Sequence, residues 1–207
     1  MKPFFTIVMQ TTLRDYAGAA ANRPDKLRRA IESVLNQSYT NFELLIMCDN
    51  CRQSFNIAKN YTDKRVSVYI IEESIQGKWF SYCRNYGIQA AMGEYVLYID
   101  NDDIYKPDYL KELHNEIMHD FADWYVVDNM ELRNNKWFYK RVNLVPNSAG
   151  TANIVHKASI RSRWLSSGTY GTEDWRFIHS IMSEAATHRH LDIAGYYICH
   201  IRGKYDI

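Results

Sequence analysis

Short apolar runs at residues 4–9, 42–47, 65–71, 95–99, 124–127 and 196–201 are rich in aromatic and β-branched side chains. Bounded by polar or turn-forming residues, they read as buried strands. Between them the period changes. Leu27, Ala30, Ile31, Val34 and Leu35 recur at helical spacing behind Pro24, which suits a first helical turn. Further helices are predicted at 55–61, 79–91, 107–119, 159–165 and 173–186. Gly93 is a natural stop for the 79–91 helix, which Gly87 weakens, and Pro107 suits the opening of the next. Residues 10–23 and 166–171 read as loops, 131–142 as a hairpin around Asn134-Asn135, and His188 and His190 as a solvated pair.

Strands alternating with helices imply an α/β fold with right-handed crossovers and a largely parallel sheet. Ligands of such sheets sit at the carboxyl ends of the strands, near a switch in strand order. Two of these ends are acidic: the 42–47 run leads to Asp49, and the 95–99 run leads to Asp100, Asp102 and Asp103. Carboxylates crowded at a strand end raise the electrostatic energy unless a cation joins them. Mg²⁺ and Mn²⁺ suit such oxygen ligands, often bridging to a substrate phosphate. Asp103 also reads as a cap for the following helix.

With 207 residues, 46% of them hydrophobic, the chain can build one domain with a substantial core. A formal net charge of +1 speaks against a dedicated nucleic-acid binder, which needs a basic excess to neutralise phosphates. No apolar run approaches the roughly 18 residues of a membrane span, and the N-terminus lacks a signal-peptide layout, so a cytoplasmic protein is expected. Four cysteines are few for this length and suit free thiols better than a disulfide framework. Trp79, Tyr82, Trp137, Tyr139, Trp164, Tyr170 and Trp175 offer flat faces on which a ligand ring could stack, although aromatics also serve packing.

Residues 30–46, AIESVLNQSYTNFELLI, followed by Arg84-Asn85-Tyr86-Gly87-Ile88, Ala91-Met92-Gly93-Glu94-Tyr95 and Asp100-Asn101-Asp102-Asp103, resemble family 2 glycosyltransferases of the GT-A fold. The resemblance is dense from about 30 to 110. Later, Gly171-Thr172-Glu173-Asp174-Trp175 looks like the family's acidic "ED" motif, and Cys199-His200-Ile201 sits where many GT-A enzymes carry a metal-binding histidine. It implies a single GT-A domain over 1–207, with a Rossmann-like sheet flanked by helices. Residues 1–120 would form the nucleotide-sugar half and a smaller portion, 121–207, the acceptor side.

The chemistry implied is transfer of a sugar from a nucleotide-sugar, with UDP favoured, to an acceptor hydroxyl with inversion. A divalent metal, Mn²⁺ or Mg²⁺, would assist, in glycan or cell-surface polysaccharide synthesis. A carbohydrate or lipid-linked carbohydrate would accept the sugar, by peripheral contact with a membrane if any. Asp102, with His200, would hold the metal of the DxD motif, while Asp100 would contact the ribose or share the ion's surroundings. Asp174 would be the general base, and Asp49 would accept a ring N–H of the nucleotide base. Arg84, Lys78 and Thr11 complete the donor contacts, and Asp103, Glu173 and Trp175 are further candidates. Arg14 and Arg23 are candidates for touching donor or acceptor.

The chain departs from the family at Cys48, where an acid is usual, at Asn50-Cys51 in place of Gly-Ser, and in the loop after the first strand. Those departures leave room for a non-catalytic nucleotide-sugar binder. Cys48-Asp49-Asn50-Cys51 also fits the setting of a redox pair, although a carboxylate between the thiols raises their pKa. A structural zinc site from Cys48, Cys51, Cys83 and Cys199 or His200 has only one close cysteine pair behind it.

Overall fold

The fold was taken from a computed structural model, which describes residues 2–14, 19, 21–72, 81–165 and 173–199. Strand β1 (Phe5–Thr11) is buried at every position. Its parallel neighbours are β2 (Phe42–Asp49), which in turn pairs with β3 (Val66–Ile71), and β4 (Tyr95–Asp100). Alternation along these strands explains their uniform hydrophobicity. Ile7, Met9, Leu44 and Ile46 pack in one core layer, whereas Val8, Leu45, Met47, Val96 and Tyr98 pack in the other.

Helices α1 (Arg23–Leu35), α2 (Arg52–Ala58) and α4 (Tyr109–His119) cover the first layer through Leu27, Ile31, Ile57, Leu110 and Leu113. Helices α3 (Ser81–Ala90) and α5 (Glu173–Glu184) cover the second through Ile88, Phe177, Ile178 and Ile181. The second half adds β5 (Ile104–Tyr105), β6 (Trp124–Arg133), β7 (Lys136–Lys140), β8 (Ile154–Lys157) and β9 (His188–Ile198). One sheet results, in the order β3-β2-β1-β4-β8-β6-β9-β5, with β7 paired to β6. Its first four strands are parallel; beyond β4 the pairing is mixed.

Several expectations change. The break anticipated after residue 127 does not exist, because β6 runs on to Arg133. Between Val127 and Asn129 the pairing with β9 skips residues 192–195, and Asp128, fully buried there, interrupts the apolar run. The hairpin turn is at Asn134-Asn135 as expected, both with positive φ. No helix forms over 159–165: the N–H groups of Arg161 and Ser162 donate to the Glu184 carboxylate, and that of Trp164 to the Asn85 amide. The final strand begins at His188 rather than 196, so His188 and His190 lie on a strand instead of a loop; both are exposed, as expected, with His188 stacked on Trp124 and His190 against Asp128.

The glycines have a different reason from the one anticipated. A Cβ on Gly93 would lie 2.6 Å from the Thr6 backbone nitrogen, and one on Gly87 would lie 2.4 Å from Val8 Cγ1. Gly93 therefore allows close approach to β1, where Thr6 Oγ1 and the buried Glu43 carboxylate accept its N–H. Gly87 lets α3 lie flat on β1.

Candidate functional site

Register decides which residues meet. Thr11 lies opposite Cys48, and Gln10 opposite Asp100, so the carboxyl ends of β1, β2 and β4 finish level with one another. The order β2-β1-β4 places the switch in strand order here. Asp49 and Asp100, each the last residue of its strand, therefore open onto the same edge.

The loop after β4 is pinned on every side. Asn101 Nδ2 donates to Thr11 Oγ1 at 2.8 Å, and Arg29 donates to the Asp102 carbonyl at 2.7 Å. Thr11 is buried with its hydroxyl spent on Asn101 and Ser54, which leaves its backbone as the part able to meet a ligand. Asp103 does not cap α4; Asp108 is the N-cap residue there. Its buried carboxylate instead accepts the Tyr196 hydroxyl at 2.8 Å and the Cys199 N–H at 2.7 Å. Tyr196 also receives the Asp100 N–H at 3.0 Å, so β9 clasps the acidic loop from behind. Asp100 and Asp102 remain half-buried.

Charge is concentrated here. Burial pushes the Asp100 carboxyl up, Arg84 opposes this, and Asp102 and Asp174 push it further up. Asp103 lies well above the usual carboxylate range, through burial first and then through Asp102 and Asp100. A carboxylate with a raised native pKa binds protons more tightly when folded, so its contribution to stability falls as pH rises above the unfolded value. The thermal midpoint of the native chain minus that of Asp103→Asn should therefore become more positive as pH is lowered from 7 toward 5. A difference independent of pH would show that Asp103 is not the strained group.

Arg84 ties the two halves together. Its guanidinium lies 3.5 Å from Asp100 Oδ1 and 3.8 Å from Asp174 Oδ1, stacks on the Trp164 ring at 4.4 Å, and donates to Gln10 Oε1 at 3.3 Å. Gln10 Nε2 in turn donates to Asp100. Asp174, in the first turn of α5, accepts the Thr151 hydroxyl at 2.9 Å, yet a third of its side chain stays exposed. Thr151 belongs to a single 3₁₀ turn at Thr151–Asn153 ahead of β8. Sequence reasoning missed both Gln10 and Thr151; only the level strand ends and the position of α5 make them neighbours of carboxylates. Glu173 is buried, and Trp175 packs against the second core layer.

Trp164 is buried behind Arg84 and stacked on Phe177 at 4.1 Å, so it presents no face to a sugar. Trp137 packs edge-on against Tyr197. At the neighbouring strand end, Asp49 accepts Arg14 Nη2 at 2.6 Å and the Tyr82 hydroxyl. Burial pushes the Asp49 carboxyl up, while Arg14 pulls it down. Lys78 and His200, with Trp79, Tyr170, Gly171 and Thr172, lie outside the described residues.

The redox reading loses ground. Burial pushes the Cys48 thiol up to about 12, with Cys51 adding to it. At Cys51 burial also pushes up, but hydrogen bonds from Ser54, Leu13 and Gln53 outweigh it and lower the thiol. Both sulfurs are buried, whereas an exchanging thiol needs access. All four cysteines are free and buried. Among the described residues, the group of three ligand atoms close enough to share a metal is Asp128, His190 and Asp192, and it contains no cysteine. Each of its three residues already has a partner within the protein. Asp128 accepts the Val142 N–H and meets the His190 ring, both at 2.8 Å, and takes the Tyr139 hydroxyl, while Asp192 pairs with Arg141. The oxygens of Asp100, Asp102 and Asp103 do not gather to that spacing, since Asp103 faces inward. Asp100 and Asp102 fit a hard divalent cation as donors: two crowded carboxylates with excess negative charge, a set that Mg²⁺ commonly completes with phosphate and water.

Known proteins share this framework. S. aureus TarS 1–349 superposes with a TM-score of 0.76 at 20% identity, over 94% of this chain and 60% of that one. Its complex with UDP-GlcNAc gives 0.77 at 19%, over 97% and 59%. Among curated relatives, EpsH of Bacillus subtilis is 33% identical over 106 residues, covering 51% of this chain and 30% of that protein. The glycosyltransferase GlyA of Streptococcus pneumoniae is 30% identical over 103 residues, covering 49% and 14%. The chain thus matches less than a third of the length of either relative. The family model described as glycosyl transferase family 2 matches residues 19–183, from before α1 to the end of α5, and the chain belongs to that family.

Proposed function

We propose that this chain forms one GT-A domain that transfers a sugar from a nucleotide-sugar, a UDP-sugar by preference, onto an acceptor hydroxyl with inversion. Residues 1–120 would hold the donor and 121–207 the acceptor side. The observation that carries the reading is Arg84 between Asp100 and Asp174, which sets a partly exposed carboxylate from the second half beside the acidic strand end of the first. A pure binder has no need of that second carboxylate. The UDP-GlcNAc complex of a protein with the same fold supports a UDP-sugar as donor.

Asp174 serves as general base. The acceptor oxygen attacks the anomeric carbon as its proton passes to the Asp174 carboxylate. The bond from that carbon to the diphosphate oxygen breaks, and its electron pair leaves with the nucleoside diphosphate. Attack opposite the leaving group inverts the anomeric configuration. Arg84 stands ready to meet negative charge developing on the diphosphate, and Thr151 holds the base in orientation. A divalent cation, Mn²⁺ or Mg²⁺, held by Asp102 with Asp100 beside it, would neutralise the departing diphosphate. The acceptor is a carbohydrate or lipid-linked carbohydrate in glycan or cell-surface polysaccharide synthesis. Four free thiols suit the cytoplasm, and no helix among the described residues is long and apolar enough to cross a membrane.

A thermal-shift screen of UDP-, GDP-, dTDP- and CMP-sugars with Mn²⁺ or with EDTA tests the reading. A UDP-sugar at a hundredfold its Kd should raise the midpoint by roughly 5–10 °C, and EDTA should abolish the rise. The absence of any nucleotide-dependent shift would overturn it.

A further inference from the structure

Asp49 is the carboxylate placed to read the nucleotide base, but both of its oxygens already have partners. Oδ2 pairs with Arg14 Nη2 at 2.6 Å, and Oδ1 accepts the Tyr82 hydroxyl. The two ends of the ion pair differ in setting. The Asp49 side chain is 10% exposed and that of Arg14 is 46% exposed.

The stem of Arg14 is held while its head reaches solvent. Its N–H and Nε both donate to Thr12 Oγ1, at 3.4 and 3.2 Å, and Arg23 donates to its carbonyl at 2.7 Å. Arg23 also donates to the Thr12 carbonyl, fixing the segment that carries Arg14. A base that brings a ring N–H to Asp49 therefore enters a slot that already contains an anchored guanidinium with several donors.

The pattern offered is one acceptor beside one donor. With Tyr82 still on Oδ1, Oδ2 is the oxygen free to accept once Arg14 shifts aside, and Arg14 then points donors at whatever flanks the N–H. Uracil and thymine fit, because their imide N–H lies between two carbonyl oxygens. Cytosine fits less well, because its ring nitrogen has a lone pair where the hydrogen should be, and only its exocyclic amino group, one position over, can donate to Oδ2. Guanine presents two adjacent N–H groups and would compete with Tyr82 for Oδ1.

We infer that Arg14 determines base specificity: on donor binding its guanidinium moves from Asp49 Oδ2 to the base carbonyl next to the imide N–H, which Oδ2 then accepts. The inference rests on the nucleotide-sugar reading and adds the residue that selects the base. Titration calorimetry of the full chain with UDP, CDP and GDP, in Mg²⁺, tests it with wild type, Arg14→Ala and Arg14→Gln.

A hydrogen bond from a charged donor to a neutral base is worth about 10–100-fold in affinity. Arg14→Ala should weaken UDP by that factor and CDP by less, so the preference for UDP over CDP narrows. Arg14→Gln, which keeps the stem and one amide donor, should fall between and stands in if the alanine variant does not melt cooperatively. UDP binding that is unchanged or tightened would make Arg14 a mere counter-ion, and overturns the inference. So does an equal loss for UDP and CDP, which would reflect charge alone. Wild type that binds none of the three would instead overturn the parent reading, before any variant is compared.

Discussion

Replacement of Asp174 by asparagine should lower donor turnover by about 10²–10⁴-fold, the span expected when a positioned general base is lost. UDP affinity should stay within about twofold. On the proposed mechanism the two readouts separate, because Asp174, on α5, would serve the acceptor, whereas the carboxylates proposed for the donor, Asp49 and Asp100, end β2 and β4. Asparagine keeps the shape and can still accept the Thr151 hydroxyl, so the site should not collapse. What it lacks is the capacity to take a proton. Turnover can be followed as UDP release from a UDP-sugar with a panel of glycan acceptors. Equal turnover in the variant would remove Asp174 from the mechanism, and a parallel loss of UDP binding would make it a donor ligand instead.

Substitution of Arg84 by methionine should harm stability and donor binding together. The guanidinium is 7% exposed and sits among Gln10, Asp100, Asp174 and the Trp164 ring. Methionine keeps much of the stacked stem but withdraws the charge, leaving the carboxylates to repel each other. Breaking a fully buried pair costs about 3–5 kcal/mol; with roughly a third of each carboxylate exposed, screening reduces this to about 1–3 kcal/mol. For a domain of this size that is a drop of about 3–10 °C in the melting midpoint. Mn²⁺ should recover part of the loss, because a cation among Asp100 and Asp102 replaces some of the missing charge. UDP affinity should fall as well, since Arg84 is a buried cation 3.5 Å from Asp100 at the acidic strand end. A variant as stable as wild type, indifferent to Mn²⁺, would show that the carboxylates do not depend on Arg84.

These two effects share a cause that the chain order hides. Arg84, Asp100 and Asp174 are spread over ninety residues and meet only because α3 and α5 both pack on the second face of the sheet. Gln10 contributes through its register opposite Asp100. The same holds at the base slot, where the 2.6 Å pair between Arg14 and Asp49 depends on β1 and β2 ending level.

Local patterns in the chain were enough for strands β1 to β4 and helices α1 to α4, though not for the short β5. The runs 42–47 and 95–99 are strands because burial on both faces favours hydrophobic residues, and Glu43, the one carboxylate inside them, is held by hydrogen bonds from the Thr6 hydroxyl and the N–H groups of Met92 and Gly93. Local signals of that kind also fixed α1 behind Pro24 and the Asn134-Asn135 turn. Where they were absent, reading failed. The buried Asp128 interrupted the apolar run of β6, and the helix expected over 159–165 gave way to side chains of Asn85 and Glu184 that satisfy its backbone.

Only the tertiary structure decided which carboxylates face the cleft. Asp100, Asp102 and Asp103 look equivalent in a row of letters, yet β9 reaches back from residues 196 and 199 to draw Asp103 inward, leaving Asp100 and Asp102 at the open edge. The physical reason is range. Strand and turn propensities act over a few neighbours, whereas the partner of a buried carboxylate is set by strand register and helix placement across nearly a hundred residues.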